Sequence, residues 1–148
     1  MNPYEMIRAQ LSKVVPFANH TGVVLGEIGD GTGQATLEQR AETSNHIATQ
    51  HAGAMFTLGE AASGAALAGA LAPVMLEVRP VAAGAEIKYV KIAKGTLHAA
   101  ARTERPGAEL LAELREVGKT AFDVEVDITD AQGDTVASMR VGWHVKRA

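Results

Sequence analysis

Ala52-Gly53-Ala54-Met55-Phe56-Thr57-Leu58-Gly59-Glu60-Ala61-Ala62-Ser63-Gly64-Ala65-Ala66-Leu67-Ala68-Gly69-Ala70-Leu71 is the stretch on which the fold turns. Alanine favours helix and Pro73 closes the run, so a helix is predicted over 52–71. Its side chains are small all round rather than on one face. Such a helix sits close to neighbours on every side, which makes it a central, buried element. A membrane span would need about 20 predominantly apolar residues; this run carries a carboxylate, a serine and several glycines, and is read as a core helix.

Working outward, Asn2-Pro3 is a good helix opening, a cap residue followed by proline at the first helical position. Met6, Ile7, Leu11 and Val14 recur at helical spacing, so a helix is predicted over 3–14, ended by Pro16. Strands are predicted over 21–29 and 33–41, joined at Gly29-Asp30-Gly31-Thr32-Gly33, where glycine tolerates the positive φ of a tight hairpin. That glycine cluster lacks the Lys-Ser/Thr ending of a phosphate loop. Downstream, strands are predicted over 85–94, 96–103, 120–129 and 134–146. Phe122, Val124, Val126 and Ile128 alternate with Asp123, Glu125 and Asp127, the period of a half-buried strand. Asp130-Ala131-Gln132-Gly133-Asp134 is the turn before the last strand. A short helix with Leu110, Leu111, Leu114 and Val117 fits between Pro106-Gly107 and Gly118. Many antiparallel strands with one central helix make a single α+β domain over 1–148. A sheet of this kind keeps a free edge, for which pairing with a second copy is a common remedy.

Composition narrows the function. The chain has 148 residues, 47% of them apolar, with aromatics at only 4%, so Ala, Val, Leu and Ile must build the core. A net charge of -3 argues against a nucleic-acid surface. The absence of cysteine removes disulfides, thiolate metal sites and cysteine nucleophiles. No basic segment followed by an apolar run opens the chain, and a cytoplasmic location is expected.

Glu60 stands out as the only ionisable side chain between His51 and Glu77. A carboxylate on an apolar helix is costly to bury unless partnered or functional, and burial raises its pKa towards the range of a general base. Its helical neighbours Phe56, Thr57, Ser63 and Gly64 suggest a small, partly polar notch. Pattern alone leaves open whether Glu60 points instead through a gap to solvent. At the helix start, His51-Ala52-Gly53 gathers free N–H groups and the positive dipole end, able to hold a developing oxyanion, though small residues there also serve close packing. Ala52 and Glu60 are eight residues apart, about 12 Å along one helix. The two can meet only if antiparallel helices from two copies cross, each site taking Glu60 from one chain and the helix start from the other. Asn45 either orients water or organises a loop. His46 and His51 lack helical metal spacing. Ser63 is not in a Gly-x-Ser-x-Gly elbow. Lys88, Lys91, Lys94, Arg102 and Arg105 form a solvated basic face or meet the phosphates of a nucleotide-bearing substrate.

The stretch Asn45-His46-Ile47-Ala48-Thr49-Gln50-His51-Ala52-Gly53, continued to Glu60, resembles the hot-dog thioesterases, especially the phenylacetate-pathway-like acyl-CoA thioesterases. That family's pattern is an Asn, a His-Gly-Gly six residues on, and an Asp or Glu nine residues after the His. Gly95-Thr96-Leu97-His98-Ala99 and the Asp130–Asp134 turn are similar to its strand start and final hairpin, so the resemblance covers about residues 20–146. It implies a hot-dog fold, with the sheet wrapped around the helix. It gives Glu60 the role of general base or nucleophile, the Ala52 N–H that of polarising a thioester carbonyl, Asn45 that of orienting water, and His51 that of supporting the loop. Gly53, Phe56, Thr57 and Ser63 become substrate contacts. It also implies a homodimer or tetramer with sites between subunits and no cofactor beyond the coenzyme A of the substrate. Ala52 in place of glycine, Glu in place of Asp, and Glu77-Val78-Arg79-Pro80 where relatives carry Ser or Thr depart from the pattern. The resulting expectation is an acyl-CoA thioester hydrolase with no nucleic-acid or membrane partner. The alternative is a non-catalytic module binding acyl chains or acyl thioesters.

Overall fold

The computed structural model describes residues 2–148. Helix α1 (Pro3–Val14) opens as predicted: Asn2 Oδ1 accepts from the Glu5 N–H at 2.9 Å and the Glu5 carboxylate accepts from the Asn2 N–H. This reciprocal pairing satisfies two otherwise orphaned donors. Pro16 does not simply end the helix. Val15 turns the chain, and Pro16 then starts a second helix, α2 (Pro16–Thr21), because proline's missing N–H is harmless at a first helical position. The first strand therefore starts later than predicted, as β1 (Val23–Gly29), and pairs with β2 (Thr32–Leu37) across an Asp30-Gly31 turn with Gly31 at φ 76°. β2 stops at Leu37, not residue 41; residues 38–51 form a loop with a single 3₁₀ turn at 41–43.

The central helix α3 (Ala52–Ala70) is followed by a 3₁₀ segment at 72–77. Strand β3 (Val78–Tyr89) begins seven residues before the predicted start at 85 and ends before 94, with an irregular register between Ala82 and Gly84. Then come β4 (Leu97–Thr103), α4 (Gly107–Val117), β5 (Lys119–Thr129) and β6 (Thr135–Arg147). The strands form one antiparallel sheet in the order β1-β2-β4-β5-β6-β3. α3 lies against β1, β2, β4 and β5, with Leu58, Ala62 and Ala66 fully buried beneath it. This is the hot-dog arrangement, an α+β fold.

Small residues on α3 and its partners allow a close approach. A Cβ at Gly33 of β2 would lie 2.6 Å from the Ala66 backbone N, so this strand passes the helix with no room for a side chain. The small-residue composition thus brings backbone against backbone, not side chain against side chain. The two sheet edges differ. α1 lies along β1, whereas among the described residues no strand pairs with the outer edge of β3, and Val81 and most of its neighbours are exposed on both faces. No described helix is long and apolar enough to cross a membrane.

Candidate functional site

Glu60 sits at midlength of α3, half-buried, and opens onto a cavity of about 400 Å³. Besides α3 itself, the walls come from separate parts of the chain: Leu11 of α1 and Val15 between α1 and α2, Leu25 of β1, Met75 of the 3₁₀ segment, Pro80 of β3 and Trp143 of β6. Glu60 is the only ionisable group on them. Among the described residues its carboxylate has no ion-pair or hydrogen-bond partner, and burial pushes its pKa above the ordinary carboxylate value. The choice between cavity and open solvent, undecided by sequence, falls to the cavity. The expected notch does not form as such. Of the four helical neighbours only Gly64 shares the cavity with Glu60, and the cavity is apolar.

The other half of the expected site is the start of α3. His51 caps the helix by accepting the Gly53 N–H on Nδ1 at 2.8 Å. Its own N–H donates to the Thr43 carbonyl, which ties the cap to the preceding loop. Tyr89 Oη, at the end of β3, donates to the Ala52 carbonyl at 2.9 Å. The Ala52–Gly53 peptide is thus held on both sides, and the Ala52 N–H is left without a partner among the described residues. An unpaired N–H at the positive end of a 19-residue helix is a donor available to an anion. Tyr89 was not foreseen; an isolated tyrosine near a strand end carries no sequence signal that would reveal this bond.

Asn45 takes the loop role. Its Oδ1 accepts the Ile47 and Thr49 N–H groups and its Nδ2 donates to Thr49 Oγ1 at 2.7 Å, so it organises the turn before the helix and has no group left over for water. Next to it Gln50 is buried, and its Nε2 donates to the carbonyls of Leu37 and Gly95, pinning the loop to the ends of β2 and β4. Gln50→Leu would remove the side-chain donor that both carbonyls share. It is expected to destabilise the protein by about 1–3 kcal/mol, read as a lower midpoint in thermal unfolding with the same fold.

Two of the expected substrate contacts, Ser63 and Thr57, are buried and hydrogen-bonded within the chain. The Ser63 side chain is fully buried, donating to the Glu60 carbonyl at 2.7 Å and accepting from Trp143 Nε1 at 3.1 Å. It holds the tryptophan wall of the cavity and does not itself line the cavity. Thr57 is buried and donates to the Gly53 carbonyl one turn back. Phe56 is exposed and does not line the cavity, and Gly53 lies near the helix start beside His20 and Arg40. The basic strand residues are largely spoken for: Lys91 pairs with Asp134 and Asp130, Arg102 with Asp127, and Arg105 with Glu109 and Glu113. This accords with a solvated basic face, the first of the two readings. Among the described residues no group of three or more His, Asp or Glu side chains comes together in a way that could hold a metal ion.

Comparison with known proteins bears on the family and the fold. A family model described as a domain of unknown function (DUF4442) matches residues 4–145. No curated protein matches the sequence. Among solved structures, a Pseudomonas aeruginosa protein of unknown function, called a "probable thioesterase", is 25% identical, with a TM-score of 0.83 over 99% of this chain and 97% of that one. The Escherichia coli PaaI protein of the phenylacetic acid degradation operon is 20% identical, with a TM-score of 0.73 over 99% and 94%. A thioesterase enzyme from Staphylococcus aureus is 17% identical, with a TM-score of 0.71 over 89% and 99%.

Proposed function

This chain belongs to the DUF4442 family, and on that footing we propose that it is an acyl-CoA thioester hydrolase whose sites form between two copies. The observation that carries the reading is Glu60, an unpartnered carboxylate of raised pKa at the rim of an apolar cavity. The structural neighbour called a probable thioesterase supports it at the level of reaction class.

Glu60 takes a proton from water as the water oxygen attacks the thioester carbonyl. The carbonyl oxygen becomes an oxyanion, which the unpaired Ala52 N–H of a second copy stabilises. As the C–S bond breaks, the protonated Glu60 returns its proton to the departing thiolate. The products are a carboxylic acid and free coenzyme A. Rate should rise with pH through a limb displaced above the ordinary carboxylate range, because only ionised Glu60 acts as base.

Two copies are required by the roughly 12 Å that separates Ala52 from Glu60 on one helix. The bare edge of β3 supports the pairing, since a 12-residue strand with free backbone groups is a template for a second strand.

Ala52→Pro tests the oxyanion role cleanly. Ala52 is the first residue of α3, where proline fits, and His51 before it is already extended at φ -70°, ψ 143°. The substitution therefore removes one N–H with little cost to the fold. A loss of turnover of about 10²–10³-fold is expected at unchanged thermal stability. Co-refolding this variant with Glu60→Gln should restore about a quarter of wild-type activity, because half the dimers are mixed and each mixed dimer has one intact site. Recovery of no activity on mixing would show that the sites are not shared.

The binding-module alternative draws on one observation: Asn45 is wholly engaged in its loop and is not free to orient water. Binding of acyl-CoA without thiol release would decide for it.

A further inference from the structure

The cavity beneath Glu60 bears on the substrate itself. Its volume is about 400 Å³. An apolar protein cavity of about 150 Å³ accepts benzene, or about 25 Å³ per carbon. A single aromatic ring would leave more than half of this space empty, an acetyl group nearly all of it. Full occupancy corresponds to about 16 carbons, and part of the rim must hold the thioester.

The walls are equally selective in chemistry. Three polar side chains line the cavity besides Glu60, and each makes a hydrogen bond within the chain. Ser12 Oγ donates to the Arg8 carbonyl at 2.7 Å, Asn19 Nδ2 to the Ser12 carbonyl at 2.9 Å, and Trp143 Nε1 to Ser63 Oγ at 3.1 Å. Ser12 and Asn19 are exposed at the rim, so a hydroxyl or keto group seated deeper, against the aliphatic walls, loses water for little in return and is disfavoured by up to about 10²-fold. The remaining surface is aliphatic, plus one indole face.

We propose that this cavity seats an unsubstituted aliphatic acyl chain of about 8–14 carbons, with its thioester at Glu60. The reaction rests on the hydrolase reading above, whereas the chain class rests on the cavity alone.

Gly64 supplies the test. It lines the cavity one turn from Glu60, and a Cβ there would meet only Trp143, at 3.8 Å. Gly64→Leu therefore grows into the empty space, and it replaces a poor helix former by a good one, so folding is not threatened. Two measurements are made on wild type and on this variant. One is hydrolysis of a saturated acyl-CoA series from acetyl to palmitoyl, with phenylacetyl-CoA and a 3-hydroxyacyl-CoA. The other is binding of non-hydrolysable S-alkyl-coenzyme A thioethers, followed by the fluorescence of Trp143, the only tryptophan in the chain.

The expected result is a kcat/KM maximum between octanoyl and myristoyl, at least about tenfold above acetyl and phenylacetyl, with the optimum moved several carbons shorter in Gly64→Leu. An optimum at acetyl or phenylacetyl, unmoved by Gly64→Leu, would overturn the chain assignment and leave the hydrolase reading standing. If no thioester is cleaved but decyl-coenzyme A binds and Gly64→Leu weakens it, the chain assignment holds and the hydrolase reading fails. Absence of any chain-length-dependent binding would overturn the assignment.

Discussion

Glu60→Gln is expected to lose thioester turnover by about 10²–10⁴-fold while unfolding at a higher temperature than the wild type at neutral pH. The two effects share one cause. Burial against the apolar cavity, with no compensating partner, raises the Glu60 pKa in the folded protein. Between its unfolded and folded values the folded state holds more protons than the unfolded state. Stability therefore falls as pH rises through that window and stays reduced above it. This is the reverse of an ion-paired carboxylate, which loses stability as pH falls. Glutamine fills the same space without a charge to desolvate. Thermal unfolding of both proteins from pH 4 to 8 checks the sign: the advantage of Glu60→Gln should grow with pH and shrink towards zero in acid. A variant that is less stable at pH 7 but equal to wild type in acid would mean that Glu60 has a stabilising cationic partner. A stable, inactive protein at pH 7 is the signature of a group kept for its chemistry at a cost to the fold.

The second large effect concerns two glycines five residues apart on α3, expected to respond in opposite directions. A Cβ on Gly69 would collide with the Gly29 carbonyl oxygen at the end of β1 and come within 3.0 Å of Ile28 Cγ2. The obstacle is backbone, which cannot rotate away. Gly69→Ala is expected to cost more than about 3 kcal/mol, and Gly69→Val to prevent folding. For a chain of this size the alanine variant should melt about 10 °C lower. Gly64 faces the cavity, where a Cβ has ordinary contact only with Trp143. Gly64→Ala gains helix propensity of about 1 kcal/mol and should melt a few degrees higher. Equal responses at the two sites would contradict the close approach of α3 to the β1–β2 turn.

These contrasts bear on what could be read from the sequence. α3 was legible almost to the residue, because no other segment is so rich in Ala and Gly, and a helix without a polar face has only the core to occupy. β5 was legible because Phe122 to Ile128 alternates without interruption. The first half of β3 was not. Val78-Arg79-Pro80-Val81 holds a proline and Gly84 follows, residue types that interrupt most strands. At a sheet edge, however, proline's missing N–H faces no partner and an irregularity in register is tolerated. α2 was hidden for a related reason, Pro16 serving as a start where it read as a stop. For the site, the spacing of Asn45, His51, Ala52 and Glu60 singled out the residues on which the proposal rests. The cavity lay beyond reach because its walls come from residues near 11–25, 60–67, 75–80 and 143, which only the tertiary fold assembles. The engagement of Asn45 and Ser63 was equally invisible, since hydroxyl and amide groups look the same in sequence whether free or occupied.

The unpaired flank of β3 has an outcome for how such a protein behaves in the cell and in the cuvette. If neither protomer holds a whole site, catalytic output per molecule depends on how much of the protein is present. Diluting a stock below the dissociation constant of the pair should produce a progressive decline in specific activity, and returning it to high concentration should bring a lag before full rate is regained.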